Sequence, residues 1–212
     1  MGHGYYREAH PLVFVISHYI NLISMIALGF SGFYIHYPFI AWNMEAARSI
    51  HFFFMYLLLI NLTARILMAF WVKDTNVPNT RKVDVDIKNW LPQAENRHQL
   101  VETVKFYLFM RKTHTISGKY ATPQKVSYVG ITLLTYVMAY TGFAIYSPAA
   151  SLPFFAGGVD AVGGLMMMRT IHFFGLWVFI VFTMIHVYLA TIHGLEPSKL
   201  MFGWVETEDA GH

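Results

Sequence analysis

The chain contains no cysteine among its 212 residues. This excludes disulfide bonds, thiolate metal ligands and iron–sulfur clusters held by the chain itself. A redox cofactor bound here would need other ligands, such as histidine, methionine or tyrosine. Histidine is well represented, with 11 residues.

Charged residues are scarce as well. They make up 13% of the chain, against roughly 25% in soluble domains, while hydrophobic residues make up 56%. Four apolar stretches each reach about 20 residues, the length that crosses a bilayer core of roughly 30 Å. They lie near residues 12–36, 49–73, 126–147 and 170–193. We predict an all-α integral membrane protein, a four-helix bundle that forms a single domain over residues 1–212.

Basic residues predict the orientation of this bundle. Of the 15 Lys and Arg, ten lie between Lys73 and Lys125, in the connection between the second and third stretches. Basic connections stay on the cytoplasmic side, so both termini are predicted to be cytoplasmic. The first apolar run is long enough to span, which argues against a cleavable signal peptide. This distribution fits a lipid membrane, and no nucleic-acid partner is predicted.

The connections differ in their patterns. Residues 74–95 are polar and contain Pro78 and Pro92, which favours an irregular loop. Apolar residues at helical spacing over 97–112 predict an amphipathic helix on the cytoplasmic membrane face. The Gly-rich, apolar stretch 148–168 is predicted to be a loop on the outer side.

One short phrase occurs twice, as RSIHFF over 48–53 and as RTIHFF over 169–174, 121 positions apart. Each copy stands at the outer mouth of a predicted span. Titratable side chains inside a span are costly and usually functional. The phrase therefore marks His51 and His172 as candidates for a site.

Depth within the membrane groups the histidines into two pairs. His186 follows His172 by fourteen residues, which is about 21 Å along a helix and within about 40° of the same direction. His51 shares the outer depth of His172, and His18 shares the inner depth of His186. Two imidazoles on facing helices can supply both axial ligands of a haem iron. We predict two b haems, one held by each pair.

Arginine and glycine complete this prediction. Arg48 and Arg169 each precede a proposed ligand by three residues, on the same helical face, and can reach the propionates of the outer haem. Arg65 lies at the depth of the inner haem and could do the same there. Gly175, three residues after His172, would give the porphyrin space between helices.

Several alternatives stay open. A single membrane histidine can be a packing residue, and each of these arginines can extend to the interface instead. His36 lies five helical turns after His18 and could replace His51 as the outer ligand.

With these residues in view, the chain resembles the di-haem b-type cytochrome subunits of membrane-bound NiFe hydrogenases. Formate dehydrogenase gamma subunits have the same plan. The resemblance covers nearly the whole chain and includes RTIHFFGLWVFIVFTMIHVYLATIHG over 169–194 and the GKY…QK entry to the third span. It implies the same ligands, His51 with His172 and His18 with His186.

The resemblance also implies a location, the inner membrane of a bacterium or archaeon, and a function. Such a subunit anchors the small (iron–sulfur) and large subunits of a periplasmic hydrogenase and passes their electrons to menaquinone or ubiquinone. It is an electron-transfer subunit, with quinone reduction at its inner side. The quinone would bind beside the inner haem, where Tyr120, Gln124 and His193 are candidates. Ala121 and Pro123 depart from formate dehydrogenase-like members and favour the hydrogenase branch.

The sequence leaves other functions open. A formate dehydrogenase or a thiosulfate reductase-type molybdoenzyme could be the partner instead. A His-lined proton or metal transporter would need acidic residues within the spans, and the sequence has only Glu45 near an outer mouth. A purely structural anchor would tolerate replacement of its histidines.

Overall fold

The computed structural model describes residues 12–75, 83–85, 87, 105, 110 and 122–191. Six helices lie in these residues, namely α1 (Leu12–His36), α2 (Met44–Met68), α3 (Thr122–Ile145), α4 (Ser147–Ala150), α5 (Pro153–Ala161) and α6 (Leu165–Thr191). Two short strands, β1 (Lys73–Thr75) and β2 (Val83–Val85), form an antiparallel ribbon. The predicted all-α membrane bundle is confirmed, with this ribbon as an addition.

Three helices are long and apolar enough to cross a membrane within the described residues. They cover Leu12–His36, Met44–Met68 and Leu165–Tyr188. The continuous apolar part of α3 is shorter and covers Val129–Ile145. The whole of α3 nevertheless overlaps the predicted span 126–147. The four helices therefore correspond to the four predicted stretches.

The start of α2 differs from the prediction. The helix begins at Met44 rather than near residue 49. The cause is Asn43, whose side-chain Oδ1 accepts hydrogen bonds from the backbone N–H groups of Glu45 (2.8 Å) and Ala46 (3.4 Å). These bonds satisfy N–H groups that a helix start otherwise leaves without a partner. The helix thus extends beyond the purely apolar run.

The loop predicted over 148–168 is wrong, because most of this stretch is helical. It contains α5 and most of α4, and each of these helices has a proline in its first turn, where the fixed φ of proline suits a helix. Gly163 and Gly164 then adopt φ values of 91° and 110°, which only glycine adopts readily. These two glycines form the connection that leads into α6 at Leu165.

The connection between α2 and α3 is described only in part. The ribbon of β1 and β2 lies there, so the irregular loop predicted over 74–95 is wrong for the strand residues. The amphipathic helix predicted over 97–112 falls outside the described residues, apart from Lys105 and Met110.

The chain divides into two compact units. The first unit comprises Ser17–Thr63 and Ile131–Ile185, and the second comprises Met1–Ile16, Ala64–Gly130 and His186–His212. The first unit therefore contains segments of all four long helices. A single domain over 1–212 stays a prediction.

Small polar residues are buried inside the first unit, and large apolar residues are exposed on its surface. Ser24 and Ser31 are fully buried and Thr141 is 4% exposed, whereas Ile60 is 67% and Phe174 is 65% exposed. Lipid tails are as apolar as leucine, so helices in a bilayer gain little by burying large apolar side chains. Small and polar residues instead let the helices approach closely and bond to one another.

Asn61 provides such a bond between α2 and α1. Its Nδ2 donates to the carbonyl oxygen of Ser17 at 2.9 Å and to Oδ1 of Asn21 at 2.7 Å. The side chain is 9% exposed, so water does not compete strongly for these bonds.

Replacement of Asn61 by leucine should therefore destabilise the bundle. We expect Asn61→Leu to lower the free energy of unfolding by about 1 kcal/mol, the scale of a polar contact between membrane helices. Equilibrium unfolding in detergent measures this difference. Thr183→Val is the control, because the Thr183 hydroxyl is exposed and donates to the Phe179 carbonyl of its own helix at 2.8 Å. Equal stability of the two variants would contradict the expectation.

Candidate functional site

His51 and His172 face each other within the first unit. Their ring centres are 6.4 Å apart, and the ring planes make an angle of 72°. Each is the eighth residue of its helix, counted from Met44 in α2 and from Leu165 in α6. The equal positions along α2 and α6 bring the two rings to the same level.

A hydroxyl group lies beside each ring. Ser31 Oγ of α1 is 3.0 Å from Nδ1 of His51, and Thr141 Oγ1 of α3 is 2.8 Å from Nδ1 of His172. Both hydroxyl-bearing residues are almost completely buried. Each histidine is therefore oriented by a hydrogen bond with a residue of the neighbouring helix.

A glycine follows each of these hydroxyl residues and makes room for the ring. A Cβ atom added at Gly32 would lie 3.2 Å from Cε1 of His51, and one added at Gly142 would lie 3.2 Å from Cε1 of His172. These distances are tighter than an ordinary van der Waals contact. Glycine thus lets α1 and α3 approach the imidazoles closely.

Together these contacts reveal an internal repeat. The sequence FSGF over 30–33 in α1 corresponds to YTGF over 140–143 in α3, an offset of 110, just as RSIHFF corresponds to RTIHFF. Sequence reasoning identified the second correspondence and missed the first. The chain has two hairpins, one of α1 with α2 and one of α3 with α6. A residue-by-residue comparison of these hairpins, starting from the RxIHFF phrase, would have found Ser31 and Thr141.

Aromatic contacts between the hairpins follow the same repeat. Phe33 and Trp177 have ring centres 6.4 Å apart, and the corresponding pair, Phe143 and Tyr56, has centres 6.0 Å apart. The contact of Phe52 with Tyr146, at 4.4 Å, likewise corresponds to that of Phe173 with His36, at 3.6 Å. The internal repeat therefore extends from the histidine pair to these aromatic contacts.

His36 has a different environment from His51. Its exposed ring stacks on Phe173 with an interplanar angle of 12°. In the repeat it corresponds to Tyr146 rather than to a histidine. The ring that faces His172 is that of His51.

The three predicted arginines fall into two groups. Arg48 and Arg169 are exposed, near the starts of α2 and α6 and close in sequence to the histidine pair. Arg65 belongs to the second unit, where its guanidinium carbon lies 3.6 Å from the centre of the Phe14 ring. This distance is typical of a cation–π contact.

The other predicted site residues of the helices are His18, His186 and Gly175. His18 is half-buried in α1 and His186 is exposed in α6, and they belong to different units. Gly175 is buried against the side chain of Met138 in α3, where a Cβ would collide with the sulfur. Gly175 thus lies at a close contact between α6 and α3, and its role in making space for a porphyrin stays a prediction.

Of the three candidate quinone residues, the structure describes only the backbone of Gln124. Tyr120 and His193 are outside the described residues. The backbone of Gln124 lies in the first turn of α3.

The histidine pair suits a metal bound on two opposite sides. Among the described residues, no group of three or more His, Cys, Asp or Glu side chains could hold a metal ion. Two metal–nitrogen bonds of about 2 Å would place the ring centres about 6 Å apart, close to the observed 6.4 Å. The remaining ligand positions would then be free for a macrocycle, and the residues present fit a haem with two axial imidazoles.

Comparison with known proteins agrees with this chemistry. The family model described as "Prokaryotic cytochrome b561" matches residues 9–204. The chain belongs to this family. Cytochrome b561 membership makes haem b its cofactor and, with the apolar helices, makes it a membrane protein.

Curated relatives of this cytochrome are similar over most of their length. A protein of Azotobacter vinelandii is 28% identical over 206 residues, which cover 88% of this chain and 83% of the relative. One from Rhizobium leguminosarum bv. viciae is 29% identical over 191 residues, with coverage of 82% and 76%. Both are named "Probable Ni/Fe-hydrogenase B-type cytochrome subunit".

The glycine contacts predict opposite effects of two alanine substitutions. Gly157→Ala in α5 should raise the free energy of unfolding by about 0.5–1 kcal/mol, because alanine is the better helix former and nothing lies within 4 Å of the added Cβ. Gly142→Ala should lower it, since the His172 ring must move. Unfolding in detergent and the haem absorption spectrum measure both effects. A Gly142→Ala protein with parental stability and spectrum would show that the close approach is unimportant.

Proposed function

We propose that this chain is the membrane-anchoring cytochrome b subunit that carries electrons between a periplasmic NiFe hydrogenase and the quinone pool. The observation that carries this proposal is the pair of facing imidazoles, His51 and His172, inside the first unit. The names of the curated relatives support hydrogenase as the partner. The partner would comprise an iron–sulfur small subunit and a large catalytic subunit.

His51 and His172 hold one haem through their ring nitrogens. Haem b, when bound, supplies a reversible one-electron couple at its iron. Arg48 and Arg169 are exposed close by in sequence, so they can meet the propionates and offset their negative charge. The stacking of His36 on Phe173 favours His51 over His36 as the ligand.

A second haem, with His18 and His186 as its ligands, is part of this proposal and rests on the sequence spacing alone. The separation of fourteen residues between His172 and His186 corresponds to about 21 Å of helix. Arg65 would offset propionate charge at this haem, and its contact with Phe14 keeps the guanidinium among apolar groups. Two haems at these depths give electrons a route across the low-dielectric layer.

Quinone exchanges electrons at the His18 end of the chain. Tyr120, Gln124 and His193 are the candidate contacts there, in sequence near the start of α3 and the end of α6. The basic connection between α2 and α3 places this end at the cytoplasmic side of the inner membrane, with both termini. The His51 end then meets the periplasmic partner.

Removal of individual histidines tests the ligand assignment. His51→Ala and His172→Ala should each lower the haem content from two to one per chain, because one axial ligand is lost. His36→Ala is the matched control and should keep both haems. Pyridine haemochrome analysis and reduced-minus-oxidised spectra of purified membranes measure this. Loss of haem in the control, with retention in His51→Ala, would contradict the assignment.

The identity of the partner has a separate test. An affinity-tagged chain, extracted gently from its native membrane, should co-purify with a nickel-containing protein, and hydrogen should reduce its haems. The same preparation from the His51→Ala strain should retain the partner and lose most haem reduction by hydrogen. A molybdenum-containing partner would overturn the hydrogenase assignment.

A further inference from the structure

The hydroxyl groups beside the histidine pair each have a second contact. Ser31 Oγ lies 2.6 Å from the carbonyl oxygen of Ala27, and Thr141 Oγ1 lies 3.0 Å from that of Val137. A carbonyl oxygen can only accept, so each hydroxyl donates its single hydrogen to the preceding turn of its own helix. The hydroxyl oxygen then has only lone pairs left to offer to the imidazole.

The direction of the bond between each hydroxyl and its imidazole follows from this. Nδ1 of His51 therefore donates towards Ser31, and Nδ1 of His172 towards Thr141. The backbone of Leu28 and of Met138 offers each ring a second acceptor, which favours the same proton position. A neutral imidazole carries one N–H, so a proton on Nδ1 leaves the lone pair on Nε2. Both rings are thus in the form that can bind a metal through Nε2.

We propose that Ser31 and Thr141 are positioning residues that hold His51 and His172 in the Nδ1–H form and at their mutual angle of 72°. The inference deepens the proposed function, on which it rests for haem as the bound group. Hydrogen-bond partners of metal-binding histidines fix the tautomer and raise ligand basicity. Because a more basic ligand favours ferric iron, the two hydroxyls also lower the reduction potential of this haem.

The second contact distinguishes these hydroxyls from ordinary ones. Thr135, also buried in α3, donates to the carbonyl of Ile131 at 2.8 Å, as serine and threonine in membrane helices commonly do. Ser31 and Thr141 make this bond and reach a histidine as well. Ser31 is fully buried and Thr141 is 4% exposed, so water cannot replace either hydroxyl without rearrangement.

The test compares variants of the full chain in membranes. Ser31→Ala and Thr141→Val remove a hydroxyl, Ser31→Thr and Thr141→Ser exchange the two hydroxyl residues, and Thr135→Val is the matched control. Each removal should raise the equilibrium constant for reduction of one haem by about threefold to tenfold, tenfold being about 59 mV for a one-electron couple. The electron paramagnetic resonance signal of that haem, strongly anisotropic for steeply inclined rings, should also change. The exchanges and the control should retain the parental values.

The outcomes separate this inference from the function. A parent chain that binds no haem would overturn the proposed function. A parent with haem, and removal variants with unchanged potential and signal, would overturn the positioning role alone. If a removal variant loses the haem, its hydroxyl exchange decides: retention by Ser31→Thr or Thr141→Ser supports the role, and loss overturns it.

Discussion

The structure of the first unit depends on the need to satisfy both nitrogens of a half-buried imidazole inside a membrane. In a bilayer no water is available to do so, and an unmatched polar group costs several kcal/mol. At His51 and His172 a hydroxyl from the neighbouring helix meets Nδ1, and the remaining nitrogen is left for a ligand. The adjacent glycines follow from the same need, because the helix backbone must come close enough for a short side chain to reach the ring. The buried serine and threonine residues and the apolar surface of the unit fit the same membrane setting.

The two hairpins meet this need in the same way. Each contributes a hydroxyl–glycine pair from its first long helix and a histidine from its second long helix. This histidine is the eighth residue of its helix in both hairpins. The aromatic contacts between hairpins are repeated too, as in Phe33 with Trp177 and Phe143 with Tyr56. The site is thus built from two similar halves with the same local contacts. Each half supplies one of the two facing histidines.

Much of this could be predicted from the sequence, for identifiable physical reasons. Hydropathy marked the four helices because the bilayer imposes their length, and the repeated phrase marked His51 and His172. The start of α2 was missed because it depends on a side-chain cap at Asn43 rather than on hydropathy. The helices α4 and α5 were missed because proline and glycine suggest loops, although proline also suits a first turn. The bonds of Ser31 and Thr141 join different helices, and neither residue is unusual within its own.

The repeat does not extend to the other pair of histidines. The offset of 110 carries His18 onto Tyr128, and the offset of 121 carries Arg65 onto His186. The two hairpins are thus alike around His51 and His172 and unlike around His18 and His186. This asymmetry gives one site a matched pair of surroundings, and it leaves the other site free to serve a partner of a different kind.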